Sequence, residues 1–262
     1  MTETSPKMRE EGKVQRNGES EPAVVIEHLV KQFGKLRAID NLNMTINSGE
    51  TFGLIGPNGS GKTTLIRMVV GLSRPTGGTI HIMKEKMPSS KVSPHLGYMP
   101  QLSALYLDLT ARENMRFFCN IYGLRGKEQS KRIQEMLERV DLADRANDIV
   151  GKFSGGMRQR LSLACALVHG PHVVFLDEPT VGVDPELRRT FWDYFAQLNR
   201  EGITIVVSTH QLDEASRCTR LGLMRLGKLL AQDVPQQLLL QSGKDNMEDA
   251  FLYYASRQEE IS

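Results

Sequence analysis

The stretch "TFGLIGPNGSGKTT" at 51–64 restricts the possible folds more than any other part of this chain. A short apolar run leads into a glycine-rich turn, and a helix-compatible run follows over about 61–70. The turn Gly56–Thr64 fits the pattern G-x-x-x-x-G-K-[ST]. Glycines there let successive backbone N–H groups curl around an anion, and the helix N-terminus adds positive potential. The residues concerned are Gly56, Pro57, Asn58, Gly59, Ser60, Gly61, Lys62, Thr63 and Thr64. Lys62 is expected to reach the outer phosphates of a polyphosphate, and Thr63 to ligate Mg²⁺.

A strand that feeds such a loop belongs to a buried parallel sheet. Two further runs, "HVVFLD" and "ITIVVSTH", are continuously apolar, as expected of central parallel strands covered on both faces. "PELRRTFWDYFAQLNR" between them reads as the crossover helix, with Pro185 in its first turn. The first run ends in Asp177 and Glu178. Ligands of doubly wound sheets bind beyond the carboxyl ends of the strands. Asp177 there suits holding Mg²⁺, and Glu178 suits polarising an attacking water as general base.

A second anion-binding pattern lies roughly ninety residues downstream, in "KFSGGMRQRLSLACALV". Ser154, Gly155 and Gly156 precede a helix on which Met157, Leu161, Cys165 and Val168 share one face. The rest of the chain fills in around these motifs. Residues 1–22 are polar and charged and read as a disordered tail. "AVVIEHLV", "LNMTI" and "GGTIHIM" read as strands. The span from about 109 to 140 reads as helical with a break at "YGLRGK", which suggests a helical lobe inserted in an α/β core. "RLGLMRLGKLLAQ" reads as a hairpin, followed by two short helices after Pro235 and around 246–255.

The bulk composition excludes several classes. With 262 residues, 40% hydrophobic and 24% charged, the chain reads as an ordinary soluble globular protein. A net charge of +2 gives no footprint for nucleic acid. No run approaches the about 18 apolar residues of a membrane span, and no apolar signal segment opens the sequence. Cys119, Cys165 and Cys218 lack paired spacing and read as reduced thiols.

From about Val24 to Leu230 the chain resembles the ATP-binding cassette ATPases, with that family's motifs in their usual order. Phe33 resembles the aromatic that stacks on adenine, and Gly56–Thr64 the Walker A loop. Gln101 in "GYMPQLSAL" is similar to the Q-loop glutamine, which implies a place near Mg²⁺ and in catalysis. Ser154, Gly155, Gly156 and Met157 resemble the family signature, with Phe153 and Met157 replacing its usual Leu and Gln. Asp177 and Glu178 resemble Walker B and its catalytic carboxylate, Asp184 the D-loop aspartate, and His210 the switch histidine. Asp184 also suits capping the crossover helix. The Val181 and Val183 positions are more apolar than in many D-loops.

The resemblance implies an α/β P-loop NTPase fold. Its central sheet is mixed or parallel, with an N-terminal antiparallel β subdomain and a helical subdomain inserted at about 102–160. The cassette would span 23–234 and a short helical extension 235–262. It implies an ATPase using ATP and Mg²⁺, pairing head to tail with a second ATPase subunit, by default an identical one. The signature of one chain then closes on the ATP held by the other. It further implies docking on a separate transmembrane permease at the cytoplasmic face of the membrane, through the lobe at about 102–145. The segments "THQLDEA" and "GKLLAQDVPQQLL" are similar to exporter ATPases of the daunorubicin-resistance type. The alternative is a soluble cassette ATPase in nucleic-acid, ribosome or iron–sulfur assembly work. No partner nucleic acid is expected.

Overall fold

The computed structural model describes residues 21–261. Most of the expected tail therefore lies outside the described residues, but Pro22, counted as tail, opens the first strand.

Two sheets form the frame. β1 (Pro22–Phe33), β2 (Leu36–Asn47), β4 (Gly77–Ile82) and β5 (Glu85–Lys86) make an antiparallel sheet in the order β2-β1-β4-β5. The second sheet contains β3 (Thr51–Ile55), β6 (Leu96–Met99), β7 (Val173–Asp177), β8 (Thr204–Thr209), β9 (Arg220–Arg225) and β10 (Lys228–Asp233). Its order is β10-β9-β3-β8-β7-β6, parallel throughout except at the β9–β10 hairpin.

Every residue of β3, β7 and β8 is buried, because the sheet is covered on both faces and alternate residues enter opposite cores. Val174, Leu176, Ile205 and Val207 join one core, which the helical segment and the C-terminal helices complete. Val173, Phe175, Val206, Phe52 and Leu54 join the other, against the antiparallel sheet and α1 (Lys62–Val69).

The middle of the chain is helical. α2 (Ala111–Ile121) starts from a capping box between Thr110 and Glu113, and a turn through Gly123 at φ +79° separates it from α3 (Gly126–Arg139). α4 (Gly155–Leu167) packs on β6, and α5 (Pro185–Arg200) is the expected crossover. α6 (Pro235–Ser242) and α7 (Met247–Ile261) end the chain. α7 is longer than the short helix anticipated, because Asn246 caps it through the Asp249 N–H at 2.9 Å and Ala250, Phe251 and Ala255 bury one face. No helix among the described residues is long and apolar enough to cross a membrane.

Two contacts of β6 fix the course of the chain beyond it. A Cβ on Gly97 would lie 2.5 Å from the Ala166 carbonyl oxygen, so only glycine lets α4 approach. His169 donates from Nε2 to the Leu96 carbonyl, 3.0 Å away, and stacks on Tyr122 with centroids 3.5 Å apart. Its Nδ1 is buried without a partner, and burial pushes the imidazole down from 6.5 to about 4. Gly97→Ala should therefore destabilise the fold by about 1–3 kcal/mol in chemical denaturation. Because the unfolded chain takes up the His169 proton first, wild-type stability should fall as pH drops from 6.5 toward about 4. His169→Asn should show a shallower slope over that window.

Candidate functional site

Between β3 and α1 the chain turns through a loop with little steric choice. A Cβ on Gly56 would sit 2.1 Å from the Met224 carbonyl oxygen. Gly61 lies at φ +105° with the Ala38 carbonyl 2.8 Å from where its Cβ would be. The β9–β10 turn braces the loop from outside: Gly227 donates its N–H to the Ser60 carbonyl at 2.9 Å and accepts from the Asp40 N–H at 2.9 Å. Lys62 is 4% exposed. Its Nζ donates to the Gly56 carbonyl at 2.7 Å and the Pro57 carbonyl at 3.1 Å. Burial lowers the Lys62 pKa, opposed by the negative charges of Glu178 and Asp177. A cleft of about 520 Å³ opens over this loop, lined by Asn58, Gly59, Gly61, Lys62, Thr63 and Thr64. Phe33, Gln101 and Glu178 line the same cleft, as do Arg37, Leu226 and Gly227. Ser60 stays beneath the surface, its hydroxyl buried without a hydrogen-bond partner. Half of Phe33 is exposed, with the Lys31 ammonium 4.8 Å from its ring centroid.

Glu178 lines the cleft, and Asp177, its neighbour in the chain, lies buried next to it. Asp177 is fully buried. Its Oδ1 accepts from Thr63 Oγ1 at 3.2 Å and from Ser208 Oγ at 2.5 Å, whereas Oδ2 is buried with no partner. An orphan oxygen on a carboxylate that already accepts from the Thr63 hydroxyl, with the Gln101 side chain lining the same cleft as Thr63, is a hard-oxygen donor set that fits Mg²⁺. Among the described residues no group of three or more His, Cys, Asp or Glu forms a metal site by itself, so the remaining ligands would be phosphate oxygens and water.

Glu178 adopts φ +52°, a left-handed conformation that costs a residue with a side chain of order 1–3 kcal/mol. Its N–H donates to the Ser208 carbonyl at 3.1 Å and to Ser208 Oγ at 3.0 Å, which holds the turn. The carboxylate is buried among three partners. Lys62 Nζ lies 3.6 Å from Oε1, His210 Nδ1 3.3 Å from Oε2, and Gln101 Nε2 donates to Oε2 at 3.3 Å. Residues separated by more than a hundred positions thus meet on one acid.

The remaining expected site residues lie elsewhere in the same chain. Ser154 caps α4, accepting from the Met157 N–H at 3.2 Å. Asp184 caps α5, accepting from the Leu187 N–H at 2.9 Å. Ser154, Gly156 and Asp184 line a separate cleft of about 550 Å³. A Cβ on Gly156 would lie 2.8 Å from Leu187 Cδ2, a side-chain end that would have to shift to admit it. Gly155 has open space and ordinary backbone, so nothing within the chain demands glycine there. Phe153 is buried in the core, which accounts for an aromatic at that position.

Ser208 and Gly227 fall outside the sequence motifs. Ser208 directly follows the apolar residues Ile205, Val206 and Val207 of "TIVVST", and parallel register pairs it with Asp177; a hydroxyl at the end of that apolar run is the signal that marks it. Ser208→Ala removes a donor to Asp177 and an acceptor for Glu178, and should cost about 1–3 kcal/mol of stability, measured by denaturant unfolding.

Residues 39–181 match the family model described as ABC transporter. The chain is 44% identical over 239 residues to the probable multidrug ABC transporter ATP-binding protein YbhF of Escherichia coli (strain K12), covering 88% of this chain and 41% of that one. It therefore spans less than half the length of that relative. It is 39% identical over 212 residues to the Nod factor export ATP-binding protein I of Burkholderia lata, covering 80% of this chain and 70% of that one. A dimeric ATP-binding cassette in a post-hydrolysis state bound to ADP and Pi superposes with a TM-score of 0.75 at 28% identity, covering 80% of this chain and 98% of that one. With its fold, its loop and its paired carboxylates, the chain belongs to the ABC transporter family.

Proposed function

We propose that this chain binds and hydrolyses ATP as the nucleotide-binding subunit of an exporter, working with a separate membrane permease. The observation that carries the hydrolytic reading is the buried Glu178, held in a strained turn with Lys62, His210 and Gln101 around its carboxylate.

The roles follow from the geometry. Backbone N–H groups of 58–64 cradle the triphosphate, and Lys62 exchanges its carbonyl contacts for the outer phosphates. Phe33, at the rim of the cleft, stacks on the adenine. Thr63, Asp177 and Gln101 would hold Mg²⁺, which when bound neutralises charge on the phosphate oxygens. Glu178 takes the proton of the attacking water as its oxygen bonds to the γ-phosphorus and the bond to the β-phosphate oxygen breaks. His210 orients Glu178 and the γ-phosphate.

Ser154, Gly155 and Asp184 find their use in a second copy of the chain. The α4 N-terminus of one chain closes on the triphosphate of the other, and the open space at Gly155 leaves room for that approach. The similarity to the dimeric cassette supports this arrangement. The cassette occupies 22–234, one residue more than the sequence suggested because Pro22 belongs to β1, with 235–262 as a C-terminal extension.

Export rests on the relatives, whose names are those of a multidrug transporter component and of a Nod factor export protein; these names favour it over a soluble role in nucleic-acid, ribosome or iron–sulfur assembly work. The permease would seat on the apolar groove of about 560 Å³ lined by Leu72, Leu102, Leu105, Phe118 and Tyr122, placing the chain at the cytoplasmic face of the membrane.

Glu178→Gln should bind ATP as the wild type does and hydrolyse it at least about a hundredfold more slowly in a phosphate-release assay. A wild-type rate in that variant rules out the general-base role. Lys62→Ala should lose ATP affinity in equilibrium binding, and unchanged affinity rules out the phosphate role of the loop.

A further inference from the structure

Glu214 is a buried acid to which the hydrolytic reading gives no task. It lies four residues after His210, in the 3₁₀ turn Leu212–Arg217, and is 2% exposed. Oε1 accepts from the indole Nε1 of Trp192 on α5 at 3.2 Å, and Oε2 is buried with no hydrogen-bond partner. A half-satisfied buried carboxylate is costly, and an apolar side chain of similar size sits in such a place at lower cost. The cost is offset only by what the acid holds.

What it holds is the segment that carries His210. The Gln211 N–H donates to Thr209 Oγ1 at 3.0 Å, and the Glu214 N–H donates to the Gln211 carbonyl at 3.3 Å. The turn after His210 therefore closes on itself, with its near end continuous with β8. Its far end is fastened to α5 by Glu214 and Trp192, with a looser pair between Asp213 and Arg188 at 3.6 Å. α5 is the helix that Asp184 caps. On the other side of this segment, His210 Nδ1 stands 3.3 Å from Glu178.

We propose that Glu214 is a positioning residue. Through its hydrogen bond to Trp192 it anchors the His210 segment on α5, fixes His210 against Glu178 and ties both to the helix that Asp184 caps. This rests on the assignment of Glu178 and His210 to ATP hydrolysis.

Trp192 is the single tryptophan of the chain, so its fluorescence reports this contact directly. The test compares Glu214→Met, Trp192→Phe, their combination and Glu214→Gln. Each is measured for thermal stability, MgATP affinity, kcat and, where Trp192 remains, emission with and without MgATP. Glu214→Met fills the site with an apolar chain, so its melting temperature should hold or rise while kcat falls about tenfold. MgATP affinity should stay at the wild-type value. Trp192→Phe should lower kcat to a similar degree, and the combination should be no slower than either single change. Glu214→Gln keeps an acceptor for the indole and should restore most of the rate. MgATP should shift the Trp192 emission in the wild type and not in Glu214→Met. An active wild type with undiminished kcat in Glu214→Met, or multiplied losses in the combination, overturns the positioning role alone. A wild type without ATPase activity overturns the hydrolytic reading, and the positioning role with it.

Discussion

The site depends on two adjacent acids being buried at the end of a strand. Burying carboxylates is expensive unless each is paired and hydrogen-bonded. Here the β8 neighbour supplies the remedy: Ser208 donates to Asp177 and, through its hydroxyl and carbonyl, accepts the Glu178 N–H twice. The phosphate loop supplies the rest, with Thr63 on Asp177 and Lys62 beside Glu178. The loop cation, in turn, is buried at a cost that those acids relieve. Neither half of the site is comfortable without the other, which is why the parallel pairing of β7 and β8 and the course of β3 into α1 matter for chemistry.

The same logic explains how distant parts reach one acid. β6 leads to Gln101, and Gly97 sets β6 close under α4. β8 leads to His210. The β9–β10 turn reaches back to Ser60 and Asp40, joining the phosphate loop to the antiparallel sheet that carries Phe33. Ser154 and Asp184, in contrast, cap their own helices in another cleft, with Gly156 packed against Leu187 where α4 and α5 begin. One chain thus carries its phosphate loop and its α4 N-terminus in separate clefts, the separation on which the proposed pairing of two chains rests.

Much of this was legible in the sequence because the signals are local. Uninterrupted apolar runs marked β3, β7 and β8, Asp184-Pro185 marked the start of α5, and glycine spacing marked the phosphate loop. The unread parts are those set by register and by contacts over long separations. Nothing local pairs Ser208 with Asp177, brings Gly227 to Ser60 or sets Glu214 on Trp192. The left-handed turn at Glu178 was equally hidden, since a glutamate does not announce positive φ as glycine does. α7 outran its expected length because Asn246 and one buried face sustain it, and β1 starts at Pro22, where a proline is tolerated because it is the first residue of the strand.

The most direct test of a shared, two-chain site is the solution mass of Glu178→Gln with and without MgATP, alone and combined with Gly155→Asp. The account predicts that Glu178→Gln becomes a dimer with one ATP per chain when MgATP is added. A carboxylate at the open Gly155 position should keep it monomeric while ATP stays bound. A Glu178→Gln chain that binds ATP yet remains a monomer, or one whose dimer is indifferent to the charge at Gly155, contradicts it.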